Sequence, residues 1–89
     1  MNITVNGQIR FIGRENKVNS TSDDLVEHSF RILVIETLEN SYLAVHCWDE
    51  SLEKIKGLKV KDLVELECRL ESHRNRKNKD LWYHKLLLQ

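Results

Sequence analysis

Two groups of side chains have the type and spacing to do chemistry. Tyr42, His46 and Trp48 share one parity of "YLAVHCW" (42–48). Arg74, Arg76, Lys77 and Lys79 crowd into "SHRNRKNKDLWYHK" (72–85), just ahead of Trp82 and Tyr83. Flat rings in a row offer faces on which nucleobases stack, while guanidinium and ammonium groups track a phosphate backbone. Together they describe a surface for single-stranded nucleic acid. Each also has a plainer reading. Trp48 can plug a barrel end and Tyr42 can cover an apolar neighbour at a turn, and a Lys/Arg run is common on a solvated hairpin tip. The two groups in one small chain favour the binding reading over either plain one.

Catalytic chemistry finds little support. Four histidines (His28, His46, His73, His84) fall in different segments, with no His-Glu spacing that converges on a metal. No Gly-rich phosphate loop or nucleophile elbow is present. Glu65, Glu67 and Glu71 read as the solvated face of a strand rather than an acid/base pair. Cys47 and Cys68 lie in alternating apolar runs, and two isolated cysteines read as reduced core thiols rather than a disulfide framework or a zinc site. The expectation is a non-enzyme without cofactor or metal.

The elements that must position these groups are mostly strands. In "ITVNGQIRFIGR" (3–14), Ile3, Val5, Ile9 and Phe11 share one parity, and Gly7 and Gly13 offer places for a bulge or bend. "ENKVNSTSDD" (15–24) reads as a loop. "EHSFRILVIET" (27–37) is a second strand, with Phe30, Ile32 and Val34 on one stripe and Arg31, Leu33 and Ile35 on the other, the second stripe read as outward. "LENS" (38–41) is a tight turn. In 42–48, Leu43, Val45 and Cys47 oppose Tyr42, Ala44, His46 and Trp48. "DESLEKIKGLK" (49–59) suits a short helix capped by Asp49 or Ser51, with Leu52, Ile55 and Leu58 as its apolar stripe and Gly57 at its exit. "DLVELECRLES" (62–72) turns Val64, Leu66, Cys68 and Leu70 inward. "LWYHKLLL" (81–88) is the last strand, and the parity Trp82 shares with Leu86 and Leu88 tips it towards a barrel-closing role.

Three strands, a short helix and two strands in 89 residues specify one all-β domain. The five-stranded Greek-key barrel of the OB-fold places its helix between strands three and four, and its second and third strands with their flanking loops form the usual ligand site. In that frame the 74–79 stretch is the loop flanking the site. No apolar run reaches membrane-spanning length and "MNITVNGQIR" lacks signal-peptide features, so a cytoplasmic location with no membrane partner is expected. Fourteen Lys and Arg against fourteen Asp and Glu leave the chain neutral. Binding to a polyanion is then expected to be moderate and salt-sensitive.

Residues 30–70 resemble the middle of bacterial single-strand DNA-binding proteins. "FRILV" is similar to their second-strand core segment, "YLAVHCW" to a third strand framed by aromatics, "GLKVKDLVELECRLES" to their approach to strand four, and "NKDLWYHKLLL" to their final strand. Cys68 replaces a glycine of that pattern, and the strand 4–5 loop has His73, Arg74 and Asn75 where the family tends to place an aromatic. With the sequence ending at Gln89, a domain without the linker and acidic tail is expected, which is most like the tailless primosomal replication protein N branch. The resemblance implies base stacking by Tyr42 and Trp48, a homodimer, replication-restart partners, and a role in DNA replication, restart or repair.

The expected site is therefore Tyr42, His46 and Trp48 for stacking, with Arg31, Arg74, Arg76, Lys77 and Lys79 on phosphates and Arg10 or Lys17 as lesser contributors. The ligand is single-stranded DNA, with RNA left open because no sequence pattern displays 2′-hydroxyl contacts. The alternative is an OB-fold protein-interaction module, motivated by Leu33 and Ile35 on the stripe read as exposed.

Overall fold

The computed structural model describes residues 1–19 and 27–89. Its strands are β1 (Asn2–Ile12), β2 (Asn16–Asn19), β3 (Glu27–Thr37), β4 (Tyr42–Trp48), β5 (Leu63–Arg74) and β6 (Trp82–Leu88), with a 3₁₀ helix over Asp49–Ile55. β2, all exposed, lies in the segment expected as a loop, and pairs with the start of β3. Residues 20–24 of that expected loop lie outside the described residues.

β1 makes the closure. Its residues Asn2–Gln8 pair with β5, and Gly7–Ile12 pair with β3, so one long strand serves both neighbours. Around the barrel the order is β1, β3, β4, β6, β5 and back to β1. Every pairing is antiparallel except β4 with β6, where only Val45–Leu86 and His46–Leu87 are matched. This is the five-stranded OB-fold barrel with its short helix between the third and fourth barrel strands, and β2 is an addition to it.

The core holds Val5, Ile9, Leu33, Ile35, Val45, Cys47, Leu66, Cys68, Leu86 and Leu88 from the strands and Ile55 from the helix. The inward parities expected for β4 and β5 are the ones observed. Both cysteines are unpaired and buried, and burial pushes the Cys47 thiol up to about 12 and raises that of Cys68. Among the described residues, no helix is long and apolar enough to cross a membrane.

Four local expectations are overturned. Leu33 and Ile35, read as outward, are 0% exposed, and the outer face of β3 carries Phe30, Ile32 and Val34 instead. Both stripes of β3 are apolar because its outer face is itself half-covered, so alternation alone could not orient it. Phe11, read with the core, is 52% exposed. The register slips between Ile9 and Phe11, leaving Arg10 as an extra residue and moving Phe11 to the outer face opposite Val34. The bulge thus falls at Arg10 rather than at either glycine. Neither expected cap acts on the helix, whose N-cap residue is Trp48, with no side-chain cap bond. Asp49 (φ 43°) instead accepts from the Ser29 N–H at 3.0 Å and meets His28 Nδ1 at 2.9 Å, and Ser51 Oγ donates to the Leu88 carbonyl at 2.8 Å. Gly57 does sit just past the helix, with φ 88° in the left-handed region. Last, Trp82 does not close the barrel, as described below.

The reorientation of β3 has a measurable consequence. Leu33→Ala is expected to cost about 2–5 kcal/mol in chemical denaturation, the range for emptying a packed leucine site. A cost below about 0.5 kcal/mol, typical of surface positions, would return Leu33 to the outside.

Candidate nucleic-acid interface

The outer face of β3 and β4 is built from cross-strand pairs, and each ring has a neighbour that explains its position. Tyr42 lies opposite Glu36, Ala44 opposite Val34, His46 opposite Ile32 and Trp48 opposite Phe30. The Trp48 and Phe30 rings stack with centroids 4.6 Å apart and planes at 29°. Trp48 therefore spends one face on a neighbour and stays half-buried. Tyr42 is 63% exposed. Alternate residues on a strand stand ~7 Å apart, so the row Tyr42, His46, Trp48 spans about 20 Å.

Tyr42 belongs to a charged cluster at the edge of this face. Arg10 Nη2 contacts Glu36 Oε1 at 2.8 Å. Hydrogen bonds from Arg10 and then from Tyr42 hold the Glu36 carboxyl below the usual carboxylate range, and that same bond to Glu36 raises the Tyr42 phenol above its ordinary value. Arg10, a lesser candidate for phosphate, is thus committed to Glu36. Lys17 is engaged with Glu27 at 3.3 Å. Arg31 shares its parity with Leu33 and Ile35 and sits opposite buried Cys47. It lines a cleft near the helix with Leu52, Ile55 and Lys56, away from the row of rings. The stripe error explains its misplacement.

The β5–β6 hairpin continues past the barrel. Its pairing runs from Cys68–Leu88 out to Arg74–Trp82. Leu70, Ser72 and Arg74 on β5 and Leu86, His84 and Trp82 on β6 share one side, which begins as core wall and becomes exposed where the barrel ends. Trp82 is 55% exposed there, with the Arg74 guanidinium carbon 5.5 Å from its ring centroid. Parity places Trp82 on the same side as Leu86 and Leu88, as expected. Length is what removes it from the core.

The tip is shaped by asparagines, since the chain has no proline. Asn75 Oδ1 accepts from the N–H groups of Lys77 (2.8 Å) and Asn78 (3.0 Å), and Asn78 Oδ1 accepts from Asp80 N–H at 3.1 Å. Asn75 Nδ2 donates to the Tyr83 hydroxyl at 2.8 Å, and Arg74 Nε donates to the Lys79 carbonyl at 2.7 Å. Arg76, Lys77 and Lys79 are exposed around this frame. No ion pair among the described residues involves any of the four cations.

Strand face and hairpin meet. Tyr42, Ala44 and His46 from β4 and His84 from β6 border one cleft of about 310 Å³. Burial, with Lys85 nearby, holds the His46 imidazolium below the usual histidine range. Of the expected site, Tyr42 and His46 line this cleft; Trp48 lies further along the same face of β4, the four cations lie at the hairpin tip beyond His84, and Arg31 lines the separate cleft near the helix. Two rings read with the barrel interior are exposed instead: Phe11, signalled only by a bulge that no glycine marks, and Trp82, whose exposure depends on how far the hairpin outruns the barrel. Comparison of the chain with models of known protein families, with curated proteins and with solved structures returns no match.

Proposed function

We propose that this chain is a cytoplasmic single-stranded DNA-binding protein of low sequence specificity, acting as a homodimer in DNA replication, replication restart or repair. The observation that carries the binding reading is the junction just described, where a row of rings on β4 and the side of a basic hairpin open onto one cleft. Tyr42 supplies a π-face at the cleft, Trp48 and Phe11 extend the strand face beyond it and Trp82 the hairpin side, and Arg74, Arg76, Lys77 and Lys79 supply phosphate contacts. Stacking is indifferent to base identity because every base has a π-face, which is why low specificity follows. The replication role and the homodimer rest on the family resemblance alone. The protein-interaction reading cannot rest on Leu33 and Ile35, which are core residues; its outward apolar strip on β3 is instead the half-buried Phe30, Ile32 and Val34.

Titration of tryptophan fluorescence with oligo-dT at several salt concentrations tests the reading. Four phosphate contacts at roughly −0.7 each give an expected log-log salt slope of about −3. Absence of quenching at low salt, or quenching indifferent to salt, overturns it.

A further inference from the structure

The cleft between β4 and β6 has a shape and chemistry that stacking alone does not use. β4 and β6 match at only two residue pairs, Val45–Leu86 and His46–Leu87. Ahead of them the strands part, because the start of β4 belongs to a hairpin with β3 and the start of β6 to a hairpin with β5. The wedge left between them is floored by Ile3, Leu43, Leu70 and Leu86, the last apolar layer of the barrel. Its walls are the Tyr42 and His46 side of β4 and His84 of β6.

Backbone groups are aimed into the same wedge. In an antiparallel ladder, alternate residues turn both N–H and C=O away from the partner strand. The Thr37 N–H bond to the Ser41 carbonyl makes Glu36–Tyr42 such an outward-turned pair, so Tyr42 and Ala44 direct their amides away from β3. The Asn75 N–H bond to the Leu81 carbonyl does the same for Arg74–Trp82, and two steps on for His84, which turns its amide away from β5. His84 Nδ1 lies 2.9 Å from Ser72 Oγ, an interaction that orients its ring.

Resting on the single-strand reading above, we infer that this wedge is a pocket for one nucleobase turned out of the bound strand. A flat heteroaromatic ring has apolar faces for the leucine floor and a polar edge for the imidazoles and strand amides, whereas an aliphatic side chain would leave those polar groups unpaired. The volume of about 310 Å³ lies at the small end of ligand pockets, suited to one base rather than a run of them. Partial burial, with Lys85 nearby, disfavours the His46 imidazolium, which suits His46 to meet the base as a hydrogen-bonding ring. The pocket is where base preference enters an otherwise indifferent surface.

Uncharged nucleosides test the pocket without phosphate contacts. Thymidine and adenosine are titrated into the ¹⁵N-labelled full chain, and the same oligo-dT titration is run beside them on wild type and on Ala44→Trp, which fills the wedge. Saturable, salt-independent amide shifts centred on Tyr42, Ala44 and His84, lost in Ala44→Trp, are expected, with at least fivefold weaker oligo-dT binding by the variant. Oligo-dT binding without nucleoside shifts at these amides overturns the pocket and leaves the single-strand reading standing. Nucleoside shifts at these amides without oligo-dT binding support the pocket and overturn the single-strand reading. Should Ala44→Trp fail to fold, the nucleoside shifts on wild type decide alone.

Discussion

Gly7→Ala is expected to lower the thermal midpoint by about 12–24 °C, followed by circular dichroism. A Cβ built at Gly7 stands 2.2 Å from the Glu36 carbonyl oxygen and 2.7 Å from Ile35 Cγ2. The oxygen belongs to the β3 backbone, so no rotamer change relieves it, and β1 must move off β3. Overpacking of a tight site costs about 1–3 kcal/mol, and a backbone clash of this size belongs at the top of that range. In a domain this small each kcal/mol moves the midpoint by roughly 4–8 °C. Gly7 is also where β1 passes between partners, paired with both Val64 and Thr37. The lesion therefore falls on barrel closure.

Gly57→Ala is the informative control. Nothing lies within 4 Å of a Cβ there, yet its φ of 88° carries left-handed strain. About 1–2 kcal/mol is the expected cost, below that of Gly7→Ala. Equal effects, or a Gly7→Ala protein melting within a few degrees of wild type, would show that β1 and β3 are not in such close approach.

Trp48→Ala is expected to weaken oligo-dT binding by about 5- to 150-fold, the equivalent of the 1–3 kcal/mol attributed to one base stack. Tyr42→Ala should fall within the same range. The two differ in collateral effect. Trp48 packs on Phe30 and its loss removes that stack, whereas Tyr42 is largely exposed and its loss releases Glu36 to Arg10 alone. Trp48→Phe keeps a ring over Phe30 and separates the two contributions. Wild-type affinity in folded Trp48→Ala and Tyr42→Ala proteins would remove the β4 face from the binding surface.

How much of this was legible depended on whether a strand has one wet face. β4 and β5 do, and their parity, the helix between them and the order of elements followed from alternation. β3 does not, and two apolar stripes gave no basis for choosing between Leu33 and Val34. β2 is four exposed residues, "NKVN", with no apolar pattern to announce pairing. Phe11 was hidden by a bulge at Arg10, a residue that needs no special backbone. Trp82 obeyed its parity and was still misjudged, because a period of two says which side a residue takes and not where the barrel stops. The rings and cations of the site were visible as residue types. The cleft that joins Tyr42 and His46 to His84 came from the short β4–β6 pairing, which no local pattern encodes.

The β5–β6 hairpin also separates charge along its length. Its tip carries Arg74, Arg76, Lys77 and Lys79 against Asp80, while the outward side of β5 nearer the barrel carries Glu65, Glu67 and Glu71 against Arg69. This arm is then polarised along its length within a chain of no net charge. Far from a polyanion such a molecule feels little net force, but within a Debye length, about 8 Å at physiological ionic strength, the field exerts a torque that swings the arm forward. Neutrality in this chain limits long-range attraction and leaves orientation on arrival as the electrostatic contribution to encounter, ahead of the proposed phosphate contacts. Added salt should thus erode the geometry of encounter along with its strength.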